Sequence, residues 1–119
     1  MPAIRYDVRA RSTDVLGRVL CAAREHHFVI DGPVANGAPG EELTPAEAFL
    51  AGIAACAVEL IQSFEPSPSA VRAEIEGHLD RENPVREDVT VFNSVRLRLQ
   101  LEGVTDDEAA RLVERFKGR

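Results

Sequence analysis

The chain is predicted to fold as an α+β domain, with strands and helices in separate runs. Three observations carry this. Residues 4–11 and 71–79 alternate apolar and polar side chains, the mark of half-exposed strands. A long apolar stretch, from Thr44 to Phe64, opens on a capping sequence. A second capping sequence at Thr105 opens an amphipathic helix.

The bounds are simple. One domain is expected over residues 1–119, near the small end for a lone hydrophobic core. Hydrophobic residues make up 45% and charged residues 29%, an ordinary globular balance. The net charge of −6 argues against a nucleic-acid partner, because such binding rests on Lys and Arg neutralising phosphates. No apolar run is read as approaching the ~20 residues that span a bilayer, so no membrane partner is expected. The first residues, Met1-Pro2-Ala3-Ile4-Arg5, lack the apolar stretch of a signal peptide. A cytoplasmic protein with reduced thiols is expected, and Cys21 and Cys56 are not a disulfide framework. No cofactor or metal is expected either. His26 and His27 are neighbours on a strand and face opposite ways, and neither CxxC nor HExxH occurs.

Along the chain, Ile4, Tyr6, Val8 and Ala10 stand against Arg5, Asp7, Arg9 and Arg11 in the first strand. A second strand is expected over 15–23 and a third over 27–30, ending at Asp31-Gly32-Pro33. Gly32, Gly37, Gly40, Pro33 and Pro39 make residues 32–41 a loop. Thr44-Pro45-Ala46-Glu47 is a capping box with Pro at the first helical position, and Pro66 and Pro68 end the helix after Phe64. Strands follow over 71–79 and 90–101, separated by a charged loop. Ala109, Leu112, Val113 and Phe116 form one apolar face of the final helix.

On a helical wheel Phe49, Leu50, Ile53, Leu60, Ile61 and Phe64 gather on one side of the long helix. Ala48, Ala51, Gly52 and Ala55 gather on the other, with Glu59 and Gln62 at its far end. The helix is therefore expected to be buried nearly all round. The cost of Gly52, roughly 1 kcal/mol relative to alanine, calls for a packing reason. The neighbour is either the final helix or a second copy of the same helix across a two-fold axis. Cys56 lies on the seam between the two sides. By itself it is either an inert small hydrophobe or a thiol activated by a cation from another element, with Glu59 opposing the thiolate.

Asp31-Gly32-Pro33, the glycine-rich loop, and the run Leu43-Thr44-Pro45-Ala46-Glu47-Ala48-Phe49-Leu50-Ala51-Gly52-Ile53-Ala54-Ala55-Cys56 resemble the OsmC/Ohr family. There a D-x-P and a glycine-rich loop precede [TNS]-P-x-E-x-L-x-A-A-x-x-A-C. The family's cysteine follows the proline by eleven residues, as Cys56 follows Pro45. The resemblance implies the OsmC-like fold, an antiparallel sheet wrapped around a long buried central helix in an intertwined homodimer. It also implies a thiol-dependent peroxidase site at the subunit interface. Cys56 would attack the hydroperoxide, and Arg24, or else Arg18, would stabilise its thiolate. Phe49, Gly52 and Leu60 would meet the substrate. Two departures stand out. The sequence reaches Phe116-Lys117-Gly118-Arg119 without the Cys-Pro motif that supplies a resolving cysteine, and Ala46 occupies a position where peroxidases of the family favour Glu. Cys21 falls on an early strand and reads as packing. The chemistry expected is reduction of organic hydroperoxides by a single peroxidatic cysteine with an external thiol as reductant. The alternatives are a non-catalytic dimer that binds a small apolar ligand at its interface, and a plain dimeric scaffold.

Overall fold

The structure, a computed structural model, describes residues 2–118. It contains β1 (Arg9–Ser12), β2 (Arg18–Ala23), β3 (His26–Asp31), a 3-10 turn (Val34–Asn36), α1 (Pro45–Ser63), β4 (Ala70–His78), β5 (Ser94–Glu102) and α2 (Asp106–Lys117). The class is α+β, as the sequence predicts. The chain divides into two compact units, one up to Phe49 and one from Leu50.

The first unit is an antiparallel sheet in the order β1-β2-β3. Its first strand is shorter than the alternation over 4–11 suggests. Arg9 lies opposite Ala22, the last residue of β2 but one, so by the same register residues before Val8 would run past the end of β2. The β2 strand begins at Arg18, later than expected, because Val15–Gly17 turn back: Gly17 has φ 82 and the Arg18 N–H donates to the Val15 carbonyl at 3.0 Å. The β2–β3 hairpin closes on Arg24-Glu25, with Ala23 opposite His26. The β3 strand extends one residue past the expected limit at either end.

In the second unit β4 and β5 pair throughout, Ala70 opposite Glu102 and His78 opposite Ser94. The alternation is plain: Val71, Ala73 and Ile75 are partly covered while Arg72, Glu74 and Glu76 are exposed. The expected start of β5 near residue 90 moves to Ser94. Asn93 ties off the ladder: its side chain accepts from the Asp80 N–H at 2.7 Å and donates to the Asn83 carbonyl at 2.7 Å. The core is Ile61, Phe64 and Leu112, packed against Leu60, Val71, Leu99, Leu101, Val104 and Phe116. The Arg115 guanidinium sits 4.3 Å from the centre of the Phe64 ring and caps this core with a cation–π contact.

Gly77 is where β4 allows a close approach. A Cβ there would meet the Phe92 ring at 2.8 Å and Leu50 at 3.3 Å. Gly77→Val is therefore expected to lower the unfolding free energy by about 1–3 kcal/mol, read by urea titration, since an overpacked core must shift to admit the new methyls.

Both capping boxes form. Thr44 accepts from the Glu47 N–H at 3.3 Å and its own N–H donates to the Glu47 carboxylate at 3.0 Å. Thr105 and Glu108 repeat the arrangement at α2. These hydrogen bonds hold the Glu47 and Glu108 carboxyls below the usual carboxylate range.

Two expectations about α1 are corrected. It is not buried nearly all round: Ala57 and Ile61 are buried, but Ala51, Gly52, Ala55, Cys56 and Glu59 are exposed in the single chain. It is also, by length and composition, long and apolar enough to cross a bilayer, contrary to the sequence reading. Glu47 and Glu59 are its two charged residues, so its single glycine and many alanines do not break an apolar character.

Candidate functional site

A polar cluster of the first unit is built around Asp31. Its side chain is fully buried. Arg18, directly opposite across β2–β3, donates Nε and Nη2 to its two oxygens, each at 2.8 Å. The Glu41 and Glu42 backbone N–H groups donate to the same carboxylate at 3.0 Å each. Arg18 also reaches Glu41 at 3.2 Å. The Asp31 N–H donates to the Leu43 carbonyl at 2.9 Å. The end of β3 and the residues just before α1 are thereby clasped together. The Arg18 guanidinium holds the Asp31 carboxyl well below the usual carboxylate range, against the opposing effect of burial, and the two N–H donors add to it. Asp31 in turn keeps Arg18 protonated.

This clasp escapes a reading of the sequence that treats Asp31 only as part of a turn motif. The signal was available in the register. Counting outward from the Arg24-Glu25 turn sets Arg18 opposite Asp31.

The second feature is the open side of α1. Cys56 is exposed there, a turn after Gly52 and nearly a turn before Glu59, both exposed too. A Cβ added at Gly52 would meet nothing within 4 Å. The final helix is therefore not the neighbour that Gly52 admits. Among the described residues no hydrogen bond or ion pair is made by the Cys56 side chain.

The other predicted site residues are placed as follows. Arg24 is exposed in the β2–β3 turn, where φ 54 puts it in the left-handed region. That conformation costs a non-glycine residue roughly 1–2 kcal/mol. Among the described residues its guanidinium has no ion-pair or hydrogen-bond partner. Phe49, at 60% exposure, closes the first unit. Leu60 packs against the Ile61–Phe64–Leu112 core of the second. Cys21 is buried, opposite Ala10 and Phe28 in the sheet, and acts as packing. Among the described residues no group of three or more His, Cys, Asp or Glu side chains could hold a metal ion.

These elements, in this order, define the OsmC-like fold. The chain superposes on the OsmC-like protein of Mycoplasma pneumoniae with a TM-score of 0.81 at 16% identity, covering 98% of this chain and 82% of that one. It is similar to the organic hydroperoxide resistance protein OsmC of Legionella pneumophila, with a TM-score of 0.72 at 21% identity over 98% and 84% of the two chains. An organic hydroperoxide resistance protein of Elizabethkingia anophelis gives 0.64 at 19% identity over 97% and 82%. No protein-family model and no curated protein matches the chain. The structural likeness agrees with the resemblance carried by Asp31-Gly32-Pro33 and the run from Thr44 to Cys56. It also assigns α1 to a folded domain, since nearly the whole chain is matched.

Proposed function

We propose that the chain is a one-cysteine thiol peroxidase that reduces organic hydroperoxides in the cytoplasm, with an external thiol as reductant. The observation that carries this reading is the exposure of Cys56 midway along α1, a turn after Gly52. The Cys56 thiolate attacks the terminal oxygen of the hydroperoxide. An S–O bond forms as the O–O bond breaks, and the alkoxide takes a proton and leaves as the alcohol. The resulting sulfenic acid condenses with an external thiol, releasing water, and a second thiol frees Cys56 from the mixed disulfide.

A thiolate on an apolar helix needs a cation, because Glu59 opposes it. Arg18 is committed to Asp31 and Glu41. Arg24 is not: it stands exposed in the β2–β3 turn with no carboxylate partner among the described residues. Arg24 is therefore assigned as the positioning cation. Phe49 and Leu60, with Gly52 leaving room, supply the apolar contacts that favour an organic substrate over hydrogen peroxide.

A homodimer belongs to this reading. Gly52 and its alanine neighbours leave α1 open to a second backbone, and Ile4, Tyr6 and Leu16 are among the large apolar side chains left exposed. Sedimentation equilibrium is expected to return a dimer mass at micromolar concentration; a monomer at all concentrations would refute that part.

The test of the chemistry is the trapping of a sulfenic acid at Cys56. After one equivalent of cumene hydroperoxide, dimedone is expected to label Cys56, and Arg24→Ala is expected to slow that labelling. No labelling of Cys56 in the unchanged protein would end the peroxidase reading.

A second reading, a non-catalytic dimer that binds a small apolar ligand, is favoured by two facts. Ala46 stands where peroxidases of the family favour Glu, and Cys56 has no polar partner among the described residues. No hydroperoxide consumption with dithiothreitol present, together with an apolar molecule retained after purification, would select it.

A further inference from the structure

One face of the β1–β2–β3 sheet carries Arg9 and Arg11, which the thiol chemistry proposed for Cys56 does not use. The register places Arg9, Ala22 and His27 in one row across the sheet and Arg11, Leu20 and Val29 in the next. Directly opposed residues share a face, so both arginines, His27 and the apolar pair Leu20 and Ala22 stand on the same side. Together with Ala10 they line a cavity of about 390 Å³. That is within the range of sites that take small molecules, about 300–1,000 Å³.

The charge on this face is unbalanced. Arg18 lies one row further along, but Asp31 and Glu41 neutralise it. Arg5, nearby in sequence, is paired with Asp7 at 3.1 Å. Arg9 and Arg11 have no carboxylate partner among the described residues. In a chain of net charge −6, two adjacent unpaired guanidinium groups beside half-buried Leu20 and Ala22 are a local reversal of sign. Their positions along the strand are about 7 Å apart. That spacing lets the two forks converge on one carboxylate or phosphate group from the side of the apolar strip.

We propose that this face binds a small amphiphilic anion: a carboxylate or phosphate head held by Arg9 and Arg11, with a short hydrocarbon body lying on Leu20 and Ala22. His27 supplies a further polar edge at the opposite strand. The site is built from the first unit's own residues and does not depend on the chemistry of Cys56.

The test is an NMR titration of the full chain with decanoate, with acetate and decanol as partial probes. Decanoate is expected to saturate and to shift the amides of β1 and β2. Acetate lacks the tail and decanol the charge, and each is expected to bind at least tenfold more weakly. The Arg9→Gln, Arg11→Gln double variant is expected to weaken decanoate at least tenfold with its amide spectrum otherwise retained. Monodecyl phosphate in place of decanoate distinguishes a phosphate preference from a carboxylate one, and tenfold tighter binding of either head supports the site. The proposal is overturned if decanoate shifts fall outside β1–β3, if acetate or decanol binds as well, or if the double variant binds unchanged.

Discussion

Cys56→Ser is expected to reduce consumption of an organic hydroperoxide, with dithiothreitol as reductant, on the order of 1,000-fold or more. A serine hydroxyl is not ionised near neutral pH and its oxygen is a far poorer nucleophile towards an O–O bond. The same change is expected to leave thermal stability within about 0.5 kcal/mol, because the side chain is exposed and no hydrogen bond of it is lost. That separation matters. A loss of activity with loss of fold would say only that α1 needs a thiol-sized residue. Equal consumption by the variant and the unchanged protein, followed with cumene hydroperoxide, would remove Cys56 from the chemistry. Cys21→Ser serves as the counterpart: its thiol is buried in the sheet, so stability is expected to fall while turnover per folded molecule is kept.

Asp31→Ala is expected to lower the melting temperature on the order of 10 °C. It strips the acceptor from Arg18 and from the Glu41 and Glu42 N–H groups at once. Asp31→Asn keeps the shape and part of the acceptor capacity, and a smaller fall is expected. The pH dependence gives an independent check. The carboxyl is held low in the folded chain and titrates near 3.9 when unfolded. The unfolded state therefore binds the proton first as pH falls. The stabilisation is fully present above about pH 5 and is lost progressively below about pH 4. Glu47 and Glu108 add in the same sense, weakly, since both caps are exposed. Asp31→Asn should flatten the stability curve between about pH 5 and pH 2, measured by urea midpoints. A variant with the same acid slope as the unchanged protein would show that Asp31 does not carry it.

Local signals in the sequence carried most of the fold. Thr44-Glu47 and Thr105-Glu108 mark helix starts because each capping box lies within four residues, where side chain and backbone meet without help from the rest of the chain. The alternation over β4 is equally local. Strand limits were less legible. β1 covers only the four residues that pair with Val19–Ala22 of β2, and β5 starts where Asn93 ties off the ladder. Both depend on partners far along the sequence. The site was legible only as residue types. Cys56 and its spacing from Pro45 could be read directly, but its exposure could not. An apolar helix looks buried until the chain is seen to leave one side uncovered. The Asp31 clasp was hidden for the opposite reason. It joins residues thirteen and ten apart, and only the β2–β3 register links the first pair.

The clasp also bears on how this protein tolerates change in length. The segment between Gly32 and Gly40 leaves β3 at Asp31 and returns to the Asp31 carboxylate through the Glu41 and Glu42 N–H groups. Lengthening such a closed ring is cheap: doubling its residues adds only about 0.6 kcal/mol of closure entropy. The exposed turn at Val34–Asn36 is thus a natural place to splice in an epitope or a fluorophore tag. The knot beneath it would keep the graft from tugging on the helix that bears the sulfur.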